Sequence, residues 1–317
     1  MKLIIDTDTG IDDAMGCVLA LQTAHAEIVG FTSVFGNVDV DRTTRNTATL
    51  LEQLGRADVP LARGAARGFV GTPTFNPEVH GADGVGNAHF PEPVTVVQSK
   101  MSAAEFIIAR VRQYPGEVTF VGLGPLTNLA LAVLLDPAIA GQLKRVVWMG
   151  GAIYAPGNVG PVTEADARHD PEAAQVVLDA DWPVTIVSLD VTDNTLFRTP
   201  QLERLNRASS PAARYLQRIV PFYMDFYSPL LGERACAMHS ALTVGVTLNP
   251  DLITASEDLP VAVELNGVLT RGMTVADRRL GRVHSNNRTW MSGHVREVVR
   301  NVDRDSFIES FLVAIGA

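Results

Sequence analysis

Carboxylates are concentrated near the start of the chain, where Asp6, Asp8, Asp12 and Asp13 lie in one short segment. Like charges held close together repel each other and raise one another's pKa, so such a cluster needs a neutralising partner. Calcium and magnesium prefer carboxylate oxygens to imidazole or thiolate ligands. The residue types therefore predict a site for a hard divalent cation. In the simpler interpretation Asp12 and Asp13 only stabilise the start of a helix, which does not account for Asp6 and Asp8.

The sequence around these carboxylates predicts a strand followed by a helix. Residues 2–5 are a short apolar run, Gly10 interrupts the extended pattern, and residues 14–21 form the next apolar segment. A strand that ends in Asp-x-Asp and a helix that begins with Asp-Asp converge at the carboxyl edge of a parallel sheet, where open α/β folds hold their ligands. We therefore expect these carboxylates to share one site.

The rest of the chain alternates predicted strands with predicted helices. Strands are expected at 27–34, 118–122, 145–149 and 182–189. This succession predicts an α/β fold with a mostly parallel central sheet flanked by helices. Residues 261–275 alternate around Asn266-Gly267 and predict a small antiparallel hairpin near the C-terminus. Since no composition break or repeat marks a boundary, we expect one domain over residues 1–317.

Composition narrows the classes of protein to which the chain can belong. Its 317 residues are 46% hydrophobic and 19% charged, as in ordinary globular proteins. The net charge of -9 argues against a nucleic-acid partner. The chain enters a strand pattern directly, without a signal-peptide pattern, and contains no convincing membrane span. With two cysteines in all, the default expectation is a reducing cytoplasm.

Other segments carry polar or aromatic residues near predicted strand ends. Residues 62–93 are rich in glycine, proline and asparagine, and within them His80-Gly81 is a candidate site loop. The turn at residues 124–128 places Thr127 at the same sheet edge as the aspartates. The aromatic segment 222–227 is typical of core packing more than of a binding surface, and Arg234 is a candidate contact to a ligand.

Three classes of function use an acidic cluster at such an edge. The first is a metal-dependent phosphatase with Asp6 or Asp8 as nucleophile, because the start of the chain resembles haloacid-dehalogenase-like proteins. That chemistry needs a distant lysine, yet Lys100 and Lys144 are the only lysines after Lys2 and neither follows a predicted strand. The second is a sugar- or nucleoside-binding protein without catalysis. The third is a hydrolase of glycosidic bonds in which the metal orients water.

Residues 6–14, DTDTGIDDA, resemble the DTDPGxDDA signature of the inosine-uridine-preferring nucleoside hydrolases, with Thr9 in place of the proline. Further matches follow in family order over nearly the whole chain, and they favour the third class: they lie at 36–38, 80–81, 124–128, 149–151, 157–159, 170–174 and 270–274. The resemblance implies a Rossmann-like domain that hydrolyses the N-glycosidic bond of a small-molecule ribonucleoside to free base and ribose. It also implies a Ca²⁺ cofactor, an oxocarbenium-like transition state and a homodimer or homotetramer.

The resemblance also implies roles for the matched residues. Asp8 and Asp13 would bind Ca²⁺ together with the backbone carbonyl of Thr127, and Asp8 would take a proton from the attacking water. His239 would lie near the leaving base, where in some family members the histidine helps to protonate purines, a task suited to imidazole near neutral pH; a lone histidine is as often structural. The residues expected to contact the substrate are Asp12, Asn37, His80, Met149, Asn158, Glu164 and Asp166.

Two positions depart from the family pattern. His239-Ser240 stands where the family has His-Asp, whose aspartate completes the calcium shell, and Glu164-Ala165-Asp166 stands where the family commonly has Glu-Phe-Asn. One negative charge therefore leaves at Ser240 and one arrives at Asp166, and we hypothesise that the two changes are coupled. Asp166 would then either reach the metal or take over a sugar contact. The alternative is a weakened metal site in a nucleoside- or sugar-binding relative with little catalysis.

Overall fold

A nine-stranded sheet forms the centre of the protein. The computed structural model describes residues 1–279 and 294–317. The strands are β1 (Lys2–Thr7), β2 (Glu27–Ser33), β3 (Leu61–Arg63), β4 (Val118–Leu123), β5 (Arg145–Met149), β6 (Val184–Val187), β7 (Leu196–Arg198), β8 (Ala235–Ala237), β9 (Ile253–Val263), β10 (Thr274–Ala276) and β11 (Val295–Val302). The sheet has the order β10-β9-β11-β6-β5-β4-β1-β2-β3, and β7 and β8 form a separate antiparallel pair.

Helices connect the strands and cover both faces of the sheet. They are α1 (Ile11–Gln22), α2 (Val40–Gln53), α3 (Pro77–His80), α4 (Ala103–Gln113), α5 (Thr127–Leu135), α6 (Ala165–His169), α7 (Pro171–Asp179), α8 (Leu189–Thr192), α9 (Thr199–Arg207), α10 (Pro211–Leu231), α11 (His239–Leu248) and α12 (Arg304–Ile315). Successive residues of β1 point to opposite faces, so Leu3 and Ile5 belong to one apolar core and Ile4 to the other. The predicted α/β architecture is confirmed.

The direction of the sheet reverses at β1. The chain builds β1, β2 and β3 towards one edge, then returns to place β4 on the other side of β1 and continues through β5 and β6. All of these pairs are parallel. Such a reversal leaves a crevice at the carboxyl ends of the two central strands. The predicted hairpin is confirmed as well, since β10 pairs antiparallel with β9 and Thr274 lies opposite Val263.

Helices α1 and α11 pack closely against each other near this crevice. Gly16 of α1 faces the backbone of α11, and a Cβ atom at this position would lie 2.9 Å from the carbonyl oxygen of Ser240. Real Cβ atoms do not approach so closely, so the side chain of residue 16 has to be absent. The glycine thus lets Ser240 lie beside the first turn of α1, which carries Asp12 and Asp13.

Two element boundaries differ from what the sequence pattern favours. Asp41 is a plausible N-cap for a helix that ends near Leu54, but in the structure the N-cap of α2 is Asp39, two residues earlier, and its carboxylate accepts bonds from the backbone N–H of Asp41 and Arg42. The polar segment that carries Asn158, Glu164 and Asp166 has the pattern of a loop, but it contains the short helix α6. Among residues 1–279 and 294–317, no helix has the length and apolar character needed to cross a membrane.

Candidate active site

A cavity of about 260 Å³ opens at the carboxyl edge of the sheet, at the strand reversal. It contains all but one of the side chains predicted to form the site. Those that line it are Asp8, Asp12, Asp13, Asn37, His80, Met149, Asn158, Glu164, Asp166, His239 and Ser240. The exception is Thr127, which is buried at the start of α5 and whose hydroxyl donates to Asp170 Oδ2 over 2.6 Å. Residues far apart in sequence therefore converge on one polar cavity.

Asp8 is held at the end of β1 by its backbone surroundings. Its Oδ2 accepts a 2.7 Å hydrogen bond from the backbone N–H of Asn37. A Cβ atom on Gly36 would lie 2.0 Å from the same oxygen, and one on Gly124 would lie 3.0 Å from Oδ1. Both glycines are therefore required by the close approach of the carboxylate. The position of Asp8 is fixed by two neighbouring strand ends.

Asp13 collects hydrogen bonds from three parts of the chain. Its Oδ2 accepts from the backbone N–H of Gly10 at 2.8 Å and from the Asn37 side-chain amide at 2.9 Å. Its Oδ1 accepts from the Ser240 hydroxyl at 2.7 Å, and the Ser240 backbone N–H donates to Asp12 Oδ2 at 3.3 Å. Asp13 thus both stabilises the start of α1 and faces the cavity, so the helix-capping interpretation describes only part of its role.

The electrostatic state of these carboxylates follows from their burial. Burial raises the pKa of Asp8 well above its usual value, and the neighbouring charge of Asp13 raises it further. Burial, followed by the charge of Asp12, raises the pKa of Asp13 to about 8. Burial and then the charge of Glu164 raise the pKa of Asp166 well above its usual value. No lysine or arginine is found in the described lining, so these residues supply no permanent positive charge to compensate the carboxylates.

The donor set fits a hard divalent cation in charge and chemistry. Its oxygens are the carboxylates of Asp8 and Asp13 and the hydroxyl of Ser240, which are the donors that Ca²⁺ accepts. Within the described ranges, however, no three His, Cys, Asp or Glu side chains are grouped as a preformed metal site. We attribute this to Ser240, whose neutral hydroxyl lies against Asp13 where an acidic side chain would give a third carboxylate.

The buried carboxylates predict that stability depends on pH in the metal-free protein. Burial raises the pKa of Asp6 to about 7, and that of Asp13 is about 8. A carboxyl whose folded pKa exceeds its unfolded value contributes stability at low pH, which is lost as pH rises through the folded pKa. We expect the melting temperature without metal to be lower at pH 8 than at pH 5 by roughly 5 °C or more. Thermal melts in the presence of chelator measure this difference. A melting temperature at pH 8 that equals or exceeds the one at pH 5 would contradict the prediction.

Two histidines line the cavity, and their rings have different hydrogen-bond partners. His80 ends α3 and its Nδ1 accepts a 3.1 Å bond from the backbone N–H of Ile11, so a neutral His80 carries its proton on Nε2. Burial lowers its pKa to about 4, and its ring stacks on Tyr223 with centroids 5.3 Å apart. His239 begins α11 and has both ring nitrogens engaged, Nε2 with the Tyr227 hydroxyl at 3.0 Å and Nδ1 with the Thr192 hydroxyl at 2.8 Å.

Core packing was favoured over a binding surface for the aromatic segment of α10, and the segment has both roles: Tyr223 belongs to the main apolar core, and one face of the helix also lines the cavity. Tyr223, Phe226, Tyr227 and Leu230 line the cavity. Their spacing of three and four residues places them on one side of a helix, and this is the signal that identifies them. By contrast, Arg234 forms an ion pair with Asp225 and does not line the cavity.

Asp6, one of the two nucleophiles suggested for a phosphatase, does not lie where that function would require it. Asp6 is fully buried and does not line the cavity. Its Oδ1 accepts bonds from the Thr32 hydroxyl and, at 2.7 Å, from the Asn128 side-chain amide. Asp6 therefore fixes the strand ends behind the site and cannot attack a substrate in the cavity.

Comparison with known proteins places this site among nucleoside-cleaving enzymes. Residues 3–309 match the family model of the inosine-uridine preferring nucleoside hydrolases. The chain is 38% identical to uridine nucleosidase 1 of Arabidopsis thaliana, over 97% of this chain and 91% of that protein. It is 36% identical to the inosine-uridine preferring nucleoside hydrolase of Crithidia fasciculata, over 88% of each.

Solved structures agree with the sequence relatives. A plant nucleoside hydrolase superimposes with a TM-score of 0.92 at 31% identity, covering 100% of this chain and 99% of its own. A purine-preferring ribonucleoside hydrolase from Gardnerella vaginalis superimposes with a TM-score of 0.88 at 31% identity, covering 100% and 98%. The similarity thus extends over the whole chain rather than over a single motif.

Proposed function

We propose a calcium-assisted mechanism for this chain, which belongs to the inosine-uridine preferring nucleoside hydrolase family and hydrolyses the N-glycosidic bond of ribonucleosides. The observation that supports the mechanism most directly is the pair of buried carboxylates, Asp8 and Asp13, in a cavity whose described lining has no lysine or arginine. Such a pair is unfavourable without a positive charge brought in from outside.

In this mechanism Asp8 and Asp13 hold Ca²⁺, and the hydroxyl of Ser240 and the backbone carbonyl of Thr127 are the neutral oxygen donors. All of these are hard ligands of the kind that calcium accepts. When bound, the ion orients a water molecule and favours its deprotonation. The bond from Asn37 N–H to Asp8 keeps this carboxylate in place while it takes up the proton of that water.

The polar lining binds the sugar and stabilises positive charge on it. Asp12 and Asn37 bind ribose hydroxyls, Asn158 and Glu164 face its 5′ side, and Met149 packs beneath the ring. Glu164 is held by the backbone N–H groups of Gly151, Asp166 and Ala167, so its carboxylate is fixed before the substrate arrives. Fixed carboxylates around an oxocarbenium-like transition state lower its energy.

Two proton transfers complete the reaction. The oxygen of the water bonds to the anomeric carbon as the bond from that carbon to the base nitrogen breaks, and Asp8 accepts the proton of the water. The electron pair of the broken bond moves to the base, which then takes a proton. His239, which shares a 3.0 Å hydrogen bond with the Tyr227 hydroxyl, supplies this proton at the aromatic end of the cavity. His80, neutral and stacked on Tyr223, orients the base.

Replacing His239 by alanine tests the assignment of the acid and, with it, the proposed mechanism. We expect kcat for inosine and uridine to fall by about 100-fold, because general acid catalysis contributes this order of magnitude. Hydrolysis of 4-nitrophenyl riboside should change by less than about fivefold, since its leaving group departs without a proton. Release of ribose from the three substrates measures both effects. An equal loss on all three would show that His239 is needed for binding or folding rather than for protonation.

We also propose that residues 1–317 form one domain, that the chain works in the cytoplasm, and that it assembles as a homodimer or homotetramer. Cys17 and Cys236 are free and buried, as is usual in a reducing compartment. Val268 and Leu269 are 96% and 82% exposed, and neighbouring exposed apolar side chains are typical of a contact between subunits. Sedimentation of the purified protein measures the assembly state.

A further inference from the structure

The buried carboxylates of the active-site cavity differ in their hydrogen bonding. Asp8, Asp12, Asp13 and Glu164 each accept at least one bond from a backbone or side-chain donor. Asp166 is only 8% exposed and lines the cavity, yet its carboxylate has no hydrogen bond to any residue that the structure describes. It is therefore a largely buried carboxyl group that lines the cavity without a hydrogen-bond partner among the described residues.

The described lining of the cavity offers Asp166 no permanent positive charge either. No lysine or arginine is among the described residues that line the cavity. Because a buried charge without compensation is unfavourable, a cation bound in the cavity would stabilise the ionised carboxylate of Asp166.

Ser240 is a neutral residue at the proposed calcium site, where the family pattern has an aspartate. It is the second residue of α11, and its hydroxyl donates to Asp13 Oδ1 over 2.7 Å. A serine here places a neutral group against Asp13, so the cavity wall formed by α11 adds no negative charge. Asp166, on α6, faces the same cavity from another element and adds one. Asp166 thus lines the same enclosed cavity as the proposed calcium ligands Asp8 and Asp13, where charges interact more strongly than in bulk water.

We propose that Asp166 supplies the negative charge that Ser240 does not, and thereby sets the affinity of the cavity for Ca²⁺. This inference rests on the proposed function. Asp166 acts as a charge outside the set of direct ligands, because no three acidic, histidine or cysteine side chains in the described ranges are grouped as a preformed metal site. The two positions are then interchangeable in charge: a carboxylate at either one compensates for its absence at the other.

Calorimetric titration of Ca²⁺ into the full-length, metal-free protein tests this compensation. Asp166→Asn removes the charge and keeps the shape, and we expect it to weaken Ca²⁺ binding about 10- to 100-fold, the usual effect of a group outside the direct ligands. Adding Ser240→Asp to that variant should return the affinity to within about threefold of wild type, which is the signature of coupled positions. Thermal melts in chelator establish that every variant is folded.

Asp193→Asn is the matched control. Asp193 lines the same cavity, half-buried, so its loss changes the same formal charge and should alter Ca²⁺ affinity by less than about threefold if position matters more than total charge. Unchanged affinity in Asp166→Asn, or no recovery in the double variant, overturns the inference while the proposed function stands. A wild-type protein that hydrolyses nucleosides without binding Ca²⁺ overturns both.

Discussion

Replacing Asp8 by asparagine is expected to lower kcat for nucleoside hydrolysis by about 1,000-fold, within the range of a lost general base. The amide has nearly the shape of the carboxylate, so it can still accept the 2.7 Å bond from Asn37 N–H between Gly36 and Gly124. It cannot take a proton from water, and it removes a negative charge beside the sugar. Steady-state ribose release, together with a thermal melt that shows a folded variant, measures the effect.

A suitable control for this variant changes a carboxylate to an amide away from the cavity. Asp41 is exposed on α2 and pairs with Arg63, and a surface ion pair of this kind contributes little. Asp41→Asn should therefore keep kcat within about twofold of wild type. If Asp8→Asn retained more than a tenth of the wild-type kcat, Asp8 would not be the base.

Removing the divalent cation is expected to have the second largest effect. Without a cation, burial and the charge of Asp13 raise the pKa of Asp8 well above its usual value, which favours the protonated form that cannot accept a proton from water. Hydrolysis of inosine and uridine should fall by at least about 100-fold after chelation, because the base and the oriented water are lost together.

The matching experiment restores the ion. Dialysis to remove the chelator, followed by Ca²⁺, should recover the initial rate, and Na⁺ at the same ionic strength should not. Elemental analysis of the treated protein shows whether the metal has in fact been removed. Full activity in a protein shown to be free of divalent metal would contradict the mechanism proposed for this site.

The sequence was most informative where local pattern and tertiary structure agree. The strands β1, β4 and β5 are short apolar runs that end in polar residues or glycine, and each was predicted to within two residues. The spacing Ser102-x-x-Glu105 predicts a capping box ahead of an apolar helix, and the structure has it at the start of α4, because both of its hydrogen bonds are local. Local interactions of this type depend little on the rest of the fold.

Tertiary contacts decide the features that the sequence did not reveal. Helix α6 is five residues long and depends on the Glu164 cap and on burial of Ala167, neither of which gives a periodic pattern. At the start of α2 both Asp39 and Asp41 are good N-caps, and the path of the chain after β2 selects between them. The lack of a partner for Asp166 likewise depends on elements distant in sequence, so composition alone cannot show it.

The tight contact between Gly16 and the backbone of Ser240 links the interior of the protein to its chemistry. Any side chain larger than hydrogen at residue 16 forces α1 and α11 apart, and the displaced segment carries His239 and Ser240 with it. A conservative change such as Gly16→Ala, made deep among apolar side chains, would then impair turnover as an active-site mutation does. Small-to-large substitutions that other interior positions can tolerate are therefore not tolerated at residue 16, although this residue does not line the cavity.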